Sequence, residues 1–445
     1  CGLGKSEAER VLARAKDILS GSGLMARVLR STSLILMGYG ASQALRLASN
    51  LILTRLLFPE AFGLMALITV VIVGLSLFSD VGISPSIAQS KRGDDPDFLN
   101  TAWTIQVLRG VVLWGVASAI AYPLALYYDQ PDLAIYLPIA ALSLFVAGFN
   151  PTRIETAHRH LLMGRLTGLD LLSQVLEIAV MIGLALWLNS VMALVILPGP
   201  ANRFRWEWAA ARELVTFGKW IFLSTICYFF ASQGDRAVLG KFLSLETLGI
   251  YNIGYFLASF PLLLGLSVTA RVMIPVYREG ARPARIMRLR YGLSLGVIGL
   301  LALAAFIGPW AVDLLYDDRY YDAGAILVLV ALALIPQAVG MTYDQAALAA
   351  GDSRRFFVYS AARSALQVAL LLVGVKQAGL IGGIVGLGVA MALAHLVLIW
   401  LARAHRVWDP LHDGIFMSVG AVAAVTAVWV HWPRIQEMVV ATSGG

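Results

Sequence analysis

The sequence predicts an all-α polytopic membrane protein: two pseudo-symmetric six-helix bundles with at least one extra C-terminal helix. Three observations carry that prediction. The 445 residues are 59% hydrophobic and only 14% charged, where a soluble globular protein carries about 25% charged residues. Apolar runs recur from Ser31 onward, each close to the ~20 residues that cross about 30 Å of hydrocarbon. A segment near residue 55 repeats 186 residues further along the chain. Mean hydropathy is +0.77, and the 41 glycines and 16 prolines stand among aliphatic residues, as they do in membrane helices. Such a composition excludes a water-soluble enzyme.

Residues 1–30 are polar and helix-prone, and they read as a cytoplasmic amphipathic segment without the apolar core of a secretory signal. The fragment Gly2-Leu-Gly-Lys-Ser6 lacks the first glycine and the preceding strand of a phosphate loop and is set aside. Spans follow at 31–57, 62–89, 101–126, 133–152, 166–188, 214–240, 247–272, 290–312, 323–350, 356–375, 379–402 and 412–432. One run, Ser190–Leu197, is apolar but too short to cross.

Charge tests this map, because short cytoplasmic loops carry the Lys and Arg. Six cations precede the first span. Alternate loops then hold Lys91/Arg92, Arg153/Arg159/Arg165, Arg203/Arg205/Arg212/Lys219, the run Arg278–Arg290, Arg354/Arg355 and Arg403/Arg406, together 24 of the 34 Lys and Arg. The intervening loops, such as Tyr127–Asp132 and Asp317–Asp322, are short and acidic or neutral. The N-terminus is therefore expected inside. The Arg278–Arg290 run is expected on anionic headgroups rather than on nucleic acid. For both the Arg153–Arg165 and Arg203–Lys219 loops to be inside, Ser190–Leu197 must belong to a sixth crossing. That crossing is either abnormally short, or about 15 to 20 of its residues are absent.

The repeat aligns Arg55-Leu-Leu-Phe-Pro-Glu60-Ala-Phe-Gly63 with Lys241-Phe-Leu-Ser-Leu-Glu246-Thr-Leu-Gly249, and Pro123 with Pro309. An even number of spans per copy makes the copies parallel, related by an axis along the membrane normal. The expected division is 1–30 N-terminal segment, 31–200 N-terminal lobe with a truncated sixth span, 201–402 C-terminal lobe, and 403–445 extra span and tail.

No enzyme constellation emerges. The six histidines lack metal-site spacing, the outside loops are too short for a catalytic centre, and Cys1 and Cys227 cannot form a disulfide framework. No catalytic residue, metal or cofactor is expected. His395, alone in an apolar span, reads as a packed polar residue. Tryptophans near span boundaries, such as Trp220, Trp310 and Trp432, read as interface anchors.

Ionisable groups inside spans are costly and normally face a partner or a wet cavity. Arg46, Arg109, Arg236, Arg271 and Arg363 qualify, with the acids Asp80, Asp170, Glu177, Asp235 and Asp344. Gln43, Arg46 and Asn50 fall on one helical face by their spacing, and Arg236 falls on the position of Asn50 at the repeat offset. Two readings stand side by side. Either the arginines bind an anion, with Asp235 or Glu177 as a coupling group, or they form structural ion pairs. Arg109 reads as snorkelling from near a helix end.

Leu53–Leu64, Ser79-Asp-Val-Gly-Ile83, Asn100–Gln106 with Arg109-Gly, Phe217–Phe222, Gln233–Gly240 and Arg271–Tyr277 together resemble the polysaccharide-transport (Wzx-type oligosaccharide flippase) branch of the multidrug/oligosaccharidyl-lipid/polysaccharide (MOP) superfamily, over about Leu29–Trp408. The resemblance implies two bundles alternating between inward-open and outward-open states in the bacterial inner membrane. It implies transfer of a polyprenyl-diphosphate-linked oligosaccharide to the periplasmic leaflet, for O-antigen, capsule or exopolysaccharide synthesis. Membrane lipids, a polysaccharide polymerase and export proteins are the further partners it suggests, and nucleic acid is not among them. The anion-binding role passes to Arg46 and Arg236, with Gln43 and Asn50 beside them and Arg271 and Arg363 as further candidates. The competing functions are a proton- or sodium-coupled multidrug exporter of the same superfamily, which should favour acids and aromatics in its cavity, and a polytopic glycan polymerase or ligase, which needs a large outside loop.

Overall fold

The computed structural model describes residues 24–79, 83, 86–87, 90, 92–152, 155–156, 174–175, 203–278 and 282–443. The described chain is helical: α1 (Leu24–Leu56), α2 (Pro59–Phe78), α3 (Pro96–Tyr128), α4 (Leu133–Ala147), α5 (Trp208–Phe242), α6 (Leu245–Arg278), α7 (Pro283–Leu315), α8 (Ala323–Ala333), α9 (Ile335–Gly340), α10 (Asp344–Ala349), α11 (Ser353–Ala404), α12 (Pro410–Val430) and α13 (Trp432–Ser443). Among the described residues, seven helical segments are long and apolar enough to cross a membrane. The shortened crossing at Ser190–Leu197, the expected span 166–188, and Asp80, Asp170 and Glu177 lie outside the described residues.

Local chemistry sets the helix ends. α2, α3, α7 and α12 start with proline in the first turn, where the missing N–H costs nothing and φ is already helical. Asp95 caps α3 by accepting from the Asp97 amide, and Asp409 caps α12 by accepting from the His412 amide. α3 stops at Asp129, whose φ of 57° is left-handed.

Two expected spans differ from what forms. The helix expected over 62–89 ends at Phe78, where the Ser79 hydroxyl donates to the Leu75 carbonyl at 2.6 Å and competes with continuation of the ladder. The span expected over 323–350 is α8, α9 and α10 in series, because Pro336 has no N–H to offer the preceding turn and the helix breaks at Leu334. The spans expected at 356–375 and 379–402 are the two arms of α11. Non-helical backbone at Ala378 and Gly379 reverses the chain. Gly374 and Gly382 then meet backbone to backbone, as do Gly386 and Leu370, contacts that exclude a β-carbon. The tail after the last span folds as the short helix α13. Arg434 anchors it by pairing with Asp313 of α7 at 2.8 Å and donating to the Tyr321 carbonyl.

One end of the molecule carries the acidic turns and the other the basic loops. At the acidic end the repeat is visible in space. A methyl group on Gly63 of α2 would strike the carbonyl of Leu245 at the start of α6, and one on Gly249 would strike the carbonyl of Pro59 at the start of α2. Both pairs are related by the offset of 186. Around this crossing the Tyr128 hydroxyl donates to the Ala237 carbonyl at 3.2 Å, while Arg319 and Tyr320 donate to the carbonyls of Thr54 and Leu57 at 3.1 and 3.4 Å. The buried core runs from this crossing through α2, α5, α6, α7 and α8. At the end of α2, Phe78 meets Phe229 of α5 edge-on at 4.8 Å between ring centroids.

Candidate functional site

α6 is the platform. Tyr251, Asn252, Tyr255 and Phe256 occupy consecutive turns of one face, so their side chains stack along a single stripe. Against this stripe lies Arg236 of α5. Its Nε donates to Asn252 Oδ1 at 2.8 Å, its Nη1 donates to the Ser232 carbonyl at 3.2 Å, and the guanidinium stands 4.7 Å from the centre of the Tyr255 ring. Asp235, almost fully buried, accepts from the Tyr251 hydroxyl at 2.8 Å and holds its other oxygen 3.6 Å from Arg236. A buried guanidinium is tolerated here because a carboxylate and two neutral acceptors surround it.

Arg46 of α1 reaches the next residue of the stripe, standing 5.6 Å from the Phe256 ring centre. The face read from its neighbours is not uniform: Gln43 is buried, Asn50 half-buried and Arg46 exposed. Arg363 of α11 lines one cavity together with Tyr359 and Asp344, and its Nε is buried with no hydrogen-bond partner among the described residues. Two of the expected arginines, Arg46 and Arg236, therefore gather at Tyr255 and Phe256.

Arg271 does not join them. It lies about 24 Å further along α6 at 1.5 Å per residue, with Nη1 enclosed and without a hydrogen-bond partner among the described residues. Arg109 is engaged elsewhere, donating to the Ser79 hydroxyl at 2.9 Å and to the Ser76 carbonyl at 2.6 Å. These bonds tie α3 to the end of α2.

What gathers at α6 can hold an anion. A guanidinium carries five fixed donors, and the bonds to Asn252 and the Ser232 carbonyl use two of those on Arg236. Charge-assisted hydrogen bonds from such groups to phosphate oxygens are short and strong. Among the described residues no group of three or more His, Cys, Asp or Glu side chains could hold a metal ion.

A second polar cluster escapes sequence reasoning. Asp413, in the first turn of α12, accepts from the Tyr343 hydroxyl at 2.7 Å and from Trp408 Nε1 at 2.9 Å, with His395 Nε2 at 3.1 Å and His412 Nδ1 at 3.2 Å. His412 Nε2 continues to the Ser294 hydroxyl at 2.9 Å. Beside it, Arg290 donates to Thr342 and to the Tyr277 hydroxyl. The cluster fastens α12 to α7, α10 and the second arm of α11. The signal was present as His395 in an apolar span and His412-Asp413 at the start of another, but nothing in the spacing pairs them.

At the basic end the segment 203–207 is pinned to α3. Arg92 forks between Asp95 and Glu207 at 2.7 and 2.8 Å, and Arg205 pairs with Asp97 at 2.6 Å. Hydrogen bonding to Arg92 holds both Asp95 and Glu207 below the usual carboxylate range, and Glu207 in turn raises Arg92.

Comparison with known proteins agrees with this architecture. The solved structure of the lipid II flippase MurJ, in its inward closed conformation, superposes with a TM-score of 0.66 over 90% of this chain and 98% of its own, at 10% identity. The fold is that of the MOP-superfamily transporters. The lipopolysaccharide biosynthesis protein WzxC of Escherichia coli (strain K12) is 21% identical over 365 residues, 77% of this chain and 74% of its own length. The teichuronic acid biosynthesis protein TuaB of Bacillus subtilis (strain 168) is 20% identical over 275 residues, 57% of each chain, so the alignment spans little more than half of that relative. Residues 52–198 and 201–325, more than half of the sequence, match the family model of polysaccharide biosynthesis proteins, and the chain belongs to that family.

Proposed function

We propose that this chain is a flippase of the bacterial inner membrane, translocating a polyprenyl-diphosphate-linked oligosaccharide for O-antigen, capsule or exopolysaccharide synthesis. The observation that carries the reading is the convergence of Arg46 and Arg236 on Tyr255 and Phe256 of α6, a helix long and apolar enough to span, with Arg363 on a neighbouring cavity wall. The part of a lipid-linked sugar that hydrocarbon rejects is its diphosphate and glycan. Arginines on a shared face supply the diphosphate with donors while the prenyl chain stays in lipid.

Two bundles, 31–200 and 201–402, rock about the crossing of α2 and α6, and the N-terminus lies in the cytoplasm. The reciprocal contacts of Gly63 and Gly249 support this reading, since a pseudo-two-fold seal at one end is the closed gate that alternating access requires. Polymerase and export proteins act next to it, receiving the glycan on the far side. Arg271 is a secondary contact on the inward path, and Asp235 is the internal counter-charge of Arg236.

The test is complementation of a strain lacking the gene with Arg46→Ala and Arg236→Ala singly, reading surface polysaccharide at matched protein levels. A loss of ten-fold or more in either variant is expected. Undiminished export in both overturns the assignment.

A further inference from the structure

A cavity of about 150 Å³ opens beside the arginine cluster, between α5, α10 and the first arm of α11. Its wall combines the rings of Tyr228, Phe357 and Tyr359 with the Ser360 hydroxyl, the Asp344 carboxylate and Arg363. The two regions adjoin along α5, where Ala231 of the cavity wall precedes Ser232, whose carbonyl accepts from Arg236, and Arg363 stands in the same wall with Asp344 and Tyr359. The Arg363 Nε is buried without a hydrogen-bond partner among the described residues.

The two regions differ in chemistry. Around Tyr255 the charges are guanidinium groups, with the Asp235 carboxylate already bonded to Tyr251. In the cavity a carboxylate stands among aromatic rings and accepts from the neighbouring Gln345 Nε2 at 2.9 Å. A carboxylate repels a diphosphate but accepts hydroxyl donors strongly. Aromatic faces cover the C–H surface of a pyranose, while serine and tyrosine hydroxyls and a guanidinium complete a hydrogen-bonding rim. A volume of about 150 Å³ is on the scale of one hexose with its hydroxyls.

We infer that this cavity binds the sugar residue attached directly to the diphosphate, with Asp344 and Ser360 taking its hydroxyls and Arg363 bridging to the phosphate. This rests on the flippase reading and adds to it a site for the first sugar, separate from the anion site of Arg46 and Arg236. The first sugar and the diphosphate are covalent neighbours, as the two regions are in the fold.

The experiment measures binding of four probes to the full chain in lipid nanodiscs: farnesyl diphosphate, and farnesyl diphosphate carrying glucose, galactose or N-acetylglucosamine. In the wild type at least one sugar should tighten binding about ten-fold over the bare diphosphate. Asp344→Asn, and Ser360→Phe, which fills the cavity from a half-exposed position, should each abolish that gain and leave bare farnesyl diphosphate binding within two-fold. Thermal melting of each variant verifies that it folds, and either variant alone suffices for the comparison. The cavity assignment is overturned when no sugar adds affinity in the wild type, or when every variant that folds keeps the gain. Failure of all four probes to bind the wild type overturns the flippase reading itself, a result distinct from the first two.

Discussion

Gly63 lies so close to Leu245 that a β-carbon on the glycine would collide with the leucine carbonyl, and Gly249 stands in the same relation to Pro59. Backbone cannot retreat as a flexible side chain can, so the two helices approach this closely only with glycine at both crossings.

Alanine at Gly63 or Gly249 is therefore expected to cost about 1–3 kcal/mol, the usual range for overpacking, and to lower the melting temperature in detergent. The double variant should cost less than the sum of the two, because both methyls force apart the same crossing. Gly115→Ala is the control: its β-carbon meets nothing within 4 Å, and its melting temperature should hold or rise slightly, since alanine is the better helix former.

Asp413→Asn should destabilise the protein by about 3 kcal/mol or more. The carboxylate accepts from Tyr343 and Trp408 and faces His395 and His412. An amide replaces one acceptor with an NH₂ facing a donor, leaving buried polar groups unpaired. Ser294→Ala, which removes only the last bond of the chain from His412, should cost about 1 kcal/mol. Thermal melting orders the two variants, and equal effects would contradict the hub role of Asp413.

The contact between segment 203–207 and α3 should depend on acid in one direction. Asp95 and Glu207 are held by Arg92 below their ordinary values of 3.8 and 4.5. Their contribution is thus fully present above those ordinary values and is lost as pH falls through the lowered ones. Hydrogen exchange at the Arg205 amide, which donates to Thr104 Oγ1, should be protected alike between about pH 7 and 5 after correction for intrinsic rate. Protection should fall below about pH 4. Arg92→Gln should reduce protection at neutral pH and flatten the profile.

How far the residues could be read in advance follows from the range of the interactions involved. Pro59, Pro96, Pro283 and Pro410 open helices where proline in the first turn is tolerated, and hydropathy placed the starts of those spans to within about seven residues. Hydropathy averaged over a span is blind to a single missing N–H, so the break before Pro336 went unread although the proline was in view. Arg46, Arg236 and Arg363 were recognisable one by one as charges misplaced in hydrocarbon. That Arg46 and Arg236 meet on α6 while Arg363 turns to a separate cavity and Arg271 stands apart depends on how α1, α5 and α11 rotate about their axes, which side-chain spacing within one helix does not specify. Asp413, His395 and Tyr343 were invisible as a group because they sit on three elements and each alone has an ordinary explanation.

The sequence by itself determined the composition of a membrane-spanning chain, the alternation of basic and acidic loops, and a repeat at a spacing of 186 residues. All three follow from local physics: transfer of each side chain from water to hydrocarbon, and duplication written directly in residue order. Only the tertiary structure decided that the repeat meets itself at Gly63 and Gly249, that α11 folds back on its own glycines, and that a carboxylate and an arginine frame a cavity beside the cationic stripe. Those outcomes depend on which helix faces pack within a few ångströms of one another, and that choice is made by the whole assembly of surfaces at once.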